Sequence, residues 1–324
     1  MRRMPSYFFL KDTPMLQVDN LVKVFPNTLA VNNLSFHLNR GEICGFVGPN
    51  GAGKTTTMRM IATLEEPSAG EIRLDGISVF EDPYQIRRMI GFMPDHYGTY
   101  HGMTVRDYLE FYARAYEIDG PLRRQRIGDI LEFTGLDQIE EKMVESLSKG
   151  MRQRLNLGRA LINDPKIMIM DEPAAGLDPR ARIELRYLIK NLAERDKTVF
   201  VSSHILTELS EMCDRMLVID KGNMITFGTL EDIQRGLQQA LRIQVKLNQP
   251  DQIAALERFL LERAGISDVV VGEGATLSFT LAEEIDKVPA LMKEILNAGF
   301  LVVEFKPCAL TMEEAFIQIT EGLF

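Results

Sequence analysis

Tryptophan is missing from this 324-residue chain, and cysteine occurs only three times. Cys44, Cys213 and Cys308 form no CxxC pair and no even set. Neither a disulfide framework nor a thiolate metal centre is therefore expected, and a reducing compartment is the default. Long apolar runs are absent too. Stretches such as KIMIM and FLVV are strand-sized, far below the ~20 residues of a membrane-spanning helix. The apolar YFFL near the basic start is too short for a signal-peptide core. The chain thus reads as cytosolic, with no means of its own to enter a membrane. An excess of positive charge is also lacking: 37 Lys and Arg face 46 Asp and Glu, a net charge of −9. That balance argues against broad nucleic-acid binding, and no nucleic-acid partner is expected.

What is present is an ordinary globular composition, 45% hydrophobic and 26% charged, at a length that suggests two domains. The acidic excess is concentrated at the end, where residues 241–324 hold 7 Lys and Arg against 13 Asp and Glu. This shift, after the polar stretch LEDIQRGLQQ, predicts an N-terminal extension over 1–15, a first domain over 16–238 and a second over 239–324. The first domain opens with alternating runs, LQVDNLVKVF and AVNNLSFHLN, that read as antiparallel strands. Apolar strands then alternate with helical segments, as in ICGFVG, KIMIMD, TVFVSS and RMLVID, which predicts a mainly parallel sheet covered on both faces. A helical block over about 94–163 interrupts the alternation as an inserted subdomain, with Thr104 as a candidate N-cap. The acidic tail reads β-α-β-β-α-β plus one more helix, MEEAFIQI, which is a ferredoxin-like α+β order.

The chemistry begins at GPNGAGKT, residues 48–55, which fits G-x-x-x-x-G-K-[ST] between an apolar strand and a helix. Gly48, Pro49, Asn50, Gly51, Ala52 and Gly53 form a loop whose backbone N–H groups can curl around phosphate oxygens. Lys54 supplies a point charge to the β- and γ-phosphates of a nucleotide, and the Thr55 hydroxyl suits Mg²⁺. Thr56 continues the helix start, whose partial positive charge faces the anion. Asp171 and Glu172 end the strand KIMIM, at the edge where open α/β sheets bind ligands. Asp171 suits water-mediated Mg²⁺ binding, and Glu172 suits polarising an attacking water. His204 follows the next strand; a neutral imidazole there can bond a γ-phosphate and that water.

Taken together, these residues resemble the ATP-binding cassette family, the nucleotide-binding subunits of ABC transporters, over roughly residues 16–235. The motif that separates this family from other P-loop classes is LSKGMRQRL at 147–155, similar to its LSGGQ signature. The resemblance implies an α/β fold: a RecA-like P-loop NTPase core with an antiparallel β subdomain and an inserted helical subdomain, plus the small C-terminal domain. It implies ATP and Mg²⁺ as ligands, with Mg²⁺ held by Thr55, Asp171 and Asp95. Phe25 matches the aromatic that stacks on adenine, with a strand-core role as the alternative. Leu147, Ser148, Lys149, Gly150 and Met151 are the signature, which contacts the partner cassette's ATP across a head-to-tail dimer. Asp178, in AAGLDP, matches the D-loop that crosses that interface, and His204 matches the switch histidine.

The chain departs from the family pattern at three positions. Asp95 stands where Gln is usual, so it can face Mg²⁺ but cannot donate as an amide. Lys149 replaces a Gly, and either approaches the partner's phosphates or is solvated. Met151 replaces Gln. Over 97–116, Val105, Leu109, Tyr112 and Tyr116 have core spacing, leaving the aromatics Tyr97, Tyr100, Tyr108 and Phe111 as candidates to meet a membrane subunit. The resemblance is strongest to the ABC-2 type exporter branch. The expectation is therefore an ATPase subunit at the cytoplasmic face of the membrane, acting as a homodimer or paired cassette with separate transmembrane permease subunits. The alternatives are a non-transport ABC ATPase acting on DNA or ribosomes, and an ATP-gated regulatory scaffold.

Overall fold

The computed structural model describes residues 14–308 other than 97, 99–101, 238–240, 264, 273 and 282–286. The chain divides into two compact units between Leu230 and Glu231.

The first unit holds two sheets, with strands and helices numbered in chain order. β1 (Leu16–Phe25), β2 (Thr28–Leu38), β4 (Ala69–Leu74) and β5 (Ile77–Ser78) form an antiparallel sheet in the order β2-β1-β4-β5. β3 (Ile43–Val47), β6 (Ile90–Met93), β7 (Ile167–Met170), β8 (Thr198–Ser203), β9 (Arg215–Asp220) and β10 (Asn223–Thr229) form the central sheet, in the order β10-β9-β3-β8-β7-β6. All its pairings are parallel except that of β10 with β9. Every residue of β3, β7 and β8 is buried, which is why these strands read as unbroken apolar runs rather than alternating ones. The two sheets share one core, in which the Phe200 ring lies 5.4 Å from Phe36 and 5.1 Å from Phe46.

The helices of this unit are α1 (Lys54–Ile61), α2 (Pro83–Met89), α3 (Val105–Ala115), α4 (Gly120–Thr134), α5 (Lys149–Leu161), α6 (Pro179–Glu194) and α7 (Leu206–Ser210). The helices α3 to α5 enclose a core of their own, built on Val105, Leu109, Ile127, Leu131 and Leu155. Thr104 caps α3 in a reciprocal box with Asp107. Tyr108 is buried in that core, so it is not a surface contact candidate, and Tyr116 is exposed rather than core. The cause is helix length. Tyr108, three residues after Val105, shares its face, whereas Tyr116 is the C-cap and lies past the last helical turn. Tyr112 is partly buried against the core, and Phe111 is exposed. Tyr97 and Tyr100 lie outside the described residues.

The second unit begins within α8 (Leu230–Leu237), the polar helix after which the charge balance shifts. It contains β11 (Leu241–Leu247), α9 (Ile253–Leu261), β12 (Ile266–Val271), β13 (Thr276–Leu281), α10 (Val288–Asn297) and β14 (Val302–Cys308). Its sheet is antiparallel in the order β12-β13-β11-β14, with a core that includes Ile243, Val245, Leu256, Phe279 and Ile295. The further helix expected at MEEAFIQI lies outside the described residues. No helix among the described residues is long and apolar enough to cross a membrane.

Candidate functional site

The loop between β3 and α1 is held from behind by backbone. A β-carbon on Gly48 would lie 2.4 Å from the Ile219 carbonyl oxygen, and one on Gly53 would lie 2.4 Å from that of Ala30. Gly53 also has φ +109°, and Gly51, at +82°, faces open space. Gly222 N donates to Ala52 O at 2.9 Å, so the β9–β10 turn anchors the loop. Pro49, Asn50, Gly51 and Thr55 are exposed, whereas Gly48, Ala52, Gly53 and Lys54 are buried, and Thr56 is intermediate. The loop thus offers a cradle whose rim is open and whose floor admits no side chain.

Lys54 is buried, with its Nζ donating to Gly48 O at 2.6 Å and Pro49 O at 3.2 Å. It also lies 3.4 Å from Glu172 Oε1, an oxygen that is buried and accepts no hydrogen bond. The other oxygen, Oε2, is 2.8 Å from His204 Nδ1. Lys54, Glu172 and His204, from three separate segments, therefore meet at one point. Glu172 adopts a left-handed φ of +48°, which turns its side chain out of the strand line. Asp171 is buried and accepts from Ser202 Oγ at 2.7 Å, while the same hydroxyl accepts from Glu172 N at 2.9 Å. Ser202, which the sequence reading passed over, fixes both acids through one oxygen. Its signal was its position, two residues before His204 and at the end of the strand neighbouring β7.

A second patch lies at the N-terminus of α5. Ser148 is the N-cap, accepting from Met151 N at 3.3 Å. Leu147 is buried and Met151 packs against the helical core, so their side chains do not form an outward contact; Ser148, Lys149 and Gly150 remain. Lys149 is exposed, and its Nζ lies beside Gly176, 2.3 Å from the point a β-carbon there would occupy. Asp178 caps α6, accepting from Ala181 N at 3.0 Å. Gln153 Nε2 donates to Pro173 O at 2.6 Å, tying α5 to the segment that follows Glu172.

Two expected residues stand apart. Asp95 follows β6, but its carboxylate engages His96 Nδ1 at 2.8 Å rather than the Asp171–Glu172 pair. The reason is local: both side chains are exposed and adjacent in sequence, so the nearer partner captures the charge. Phe25 ends β1 with its ring exposed, under Lys23 Nζ at 4.9 Å from the ring centre. Among the described residues no group of three His, Cys, Asp or Glu side chains could hold a metal unaided.

The profile of the ABC transporter family matches residues 31–175, which span the cradle, the α5 N-terminus and the Asp171–Glu172 pair. The chain is 31% identical over 309 residues to an uncharacterised ABC transporter ATP-binding protein of Bacillus subtilis, YxlF, covering 95% of this chain and all of that one. The chain belongs to the ABC transporter ATP-binding proteins. It is also 31% identical over 308 residues to Nod factor export ATP-binding protein I of Ralstonia nicotianae, covering 95% of this chain and 94% of that protein. A dimeric ATP-binding cassette in a post-hydrolysis state, bound to ADP and Pi, superposes with a TM-score of 0.61 at 27% identity, covering 67% of this chain and 99% of that one. The cassette is an ATPase, and the central sheet with its cradle is a P-loop NTPase fold that binds ATP. The side-chain-free floor under Gly48 and Gly53 and the Lys54 ammonium fit that anionic ligand, and the buried Glu172 Oε1 leaves an acceptor for a donor such as water.

Proposed function

We propose that this cassette powers export through separate membrane subunits, working as one of a pair that closes around two ATP. The observation that carries the reading is the meeting of Lys54, Glu172 and His204 beside an open glycine cradle. In it, Lys54 neutralises phosphate charge, Glu172 accepts a proton from the attacking water, and His204 orients Glu172 and the terminal phosphate. Thr55 and Asp171 are the residues that would hold Mg²⁺, which would supply positive charge to the phosphates. Phe25 offers its exposed ring to the base. Ser148 and the Gly150 N–H, at the start of α5, are donors for the partner's nucleotide, and Asp178 faces the same interface.

The membrane partner fits a cavity of about 720 Å³ lined by Arg59, Tyr84, Arg88, Phe92, Tyr112 and Tyr116, among others. It opens between the helical block and the central sheet, next to Pro94 and His96, and so suits a short segment of a permease. In this reading the cassette works at the cytoplasmic face of the membrane. The second unit, with strand order 4-1-3-2 in its own numbering, is read as ferredoxin-like, an accessory domain without a reaction.

The test is sedimentation of the Glu172→Gln variant with and without MgATP, alongside affinity isolation from solubilised membranes. A dimer that appears only with MgATP, and a co-isolated permease, are expected. A chain that stays monomeric while hydrolysing ATP at full rate contradicts the paired-cassette reading.

A further inference from the structure

His204 is half-exposed, and its ring meets Glu172 alone among the contacts described above; what fixes it must act through the backbone. Ser203, the preceding residue, is buried. Its Oγ accepts from Ile205 N at 3.0 Å and donates to Glu208 Oε2 at 3.1 Å, so the hydroxyl brackets His204 on both sides. Glu208, on α7, is mostly buried and pairs through its other oxygen with Arg182 Nη1 at 2.9 Å. Arg182 lies in the first turn of α6, and its Nε donates to Leu177 O at 3.0 Å. Leu177 immediately precedes Asp178, and the loop carrying both returns to the site through Ala175 N, which donates to Glu172 O at 3.1 Å. The contacts close a ring: Glu172, the 174–178 loop, Arg182, Glu208, Ser203, His204 and back to Glu172.

We infer that Arg182 and Glu208 are positioning residues for hydrolysis, a clamp that makes the Asp178 loop and the His204 backbone move as one body. The inference rests on the reading of Glu172 and His204 as the hydrolytic pair. The guanidinium meets two groups from one planar fork, donating a hydrogen bond through Nε to a loop carbonyl and forming an ion pair through Nη1 with a carboxylate oxygen that accepts no hydrogen bond, a span the compact ammonium of a lysine does not match. Glu208 exposes 14% of its side chain and Arg182 35%, so solvent screens the pair on the arginine side and the carboxylate end is the sheltered one. The clamp touches neither nucleotide-binding residue nor reacting atom. Its loss should leave ATP binding intact and misplace His204 relative to Glu172, and displacements of about 1 Å in such groups cost on the order of 10²-fold in rate.

A neighbouring ion pair supplies the control. Arg186 on α6 pairs with Glu211 just past α7, joining the same two helices without reaching the loop or Ser203. The experiment measures kcat, KM and MgATP affinity on the full chain for Glu208→Gln, Arg182→Lys, their combination and Glu211→Gln. Glu208→Gln and Arg182→Lys should each lower kcat about tenfold with affinity changed less than about twofold. The combination should be no worse than the poorer single variant, because both break one link. Glu211→Gln should keep wild-type kcat. Wild-type kcat in Glu208→Gln, an equal loss in Glu211→Gln, or losses that multiply would each overturn the clamp. If Glu208→Gln fails to fold, Ser203→Ala, which removes only the hydroxyl, carries the same comparison. Glu172→Gln is run beside them. If it turns over like wild type, the hydrolytic pair itself is misassigned; if it is inactive while the clamp variants are normal, only the clamp fails.

Discussion

At the scale of single residues, the site depends on what cannot be present as much as on what is. The Gly48 floor is closed by the Ile219 carbonyl, a backbone atom that has no rotamer with which to retreat. Gly48→Ala must therefore shift the loop or β9, and we expect it to weaken ATP binding by more than about tenfold while Gly128→Ala on α4 leaves it unchanged, since Gly128 has ordinary backbone and open space around it. Fluorescent-nucleotide titration checks this; equal affinity in Gly48→Ala and wild type would contradict the closed floor. The buried polar atoms are equally specific. Glu172 Oε1 sits near a lysine ammonium without a hydrogen bond, the arrangement of an acid kept ready for a further partner. The two cysteines with described side chains do no chemistry here. Burial raises the thiol pKa of both Cys44 and Cys213, which keeps them protonated and inert.

At the scale of elements, the joint between the antiparallel and central sheets can be tested by acid. Asp75, in the β4–β5 turn, receives Lys166 Nζ at 2.5 Å from the residue preceding β7, and it pairs with Arg40 before β3. Burial alone would raise its carboxyl, but the hydrogen bonds from Lys166 and Arg40 outweigh it and hold the group below its ordinary value. A lowered folded-state value gives stability that is present above the unfolded value of about 3.9 and lost as pH falls through the folded one. Wild type should therefore exceed Asp75→Asn in urea midpoint at pH 6, by about 1 kcal/mol or less given the partial exposure, and converge with it below about pH 3. A gap that persists unchanged at low pH would remove Asp75 as its source.

The elements also show how far the sequence could be read. The cradle was legible because its chemistry is contiguous: glycines, Lys54 and Thr55 lie within eight residues, bounded by an apolar strand and a helix. The buried strands were legible because β3, β7 and β8 are apolar throughout. The clamp was not, because Leu177, Arg182, Ser203 and Glu208 come from two segments that only the fold brings together, and no single spacing marks them. Tyr108 and Tyr116 were misplaced because helical periodicity says which residues share a face but not where the helix stops. The contact between Asp95 and His96 was not legible either, because it depends on side-chain geometry.

At the scale of the whole molecule, the chain is an ABC transporter ATP-binding protein in which no described helix is long and apolar enough to cross a membrane. Gln153 ties α5 to the loop after Glu172, and the clamp proposed above ties that loop to His204. The start of α5 and the Glu172–His204 site are thus joined through one loop within the chain. All of this presumes that Glu172 is the base. The most direct measurement is ATP turnover of wild type and Glu172→Gln at saturating MgATP, with nucleotide affinity determined for both. Turnover reduced at least about 10²-fold with affinity retained is the predicted result. Turnover equal to wild type in Glu172→Gln would contradict the account at its centre.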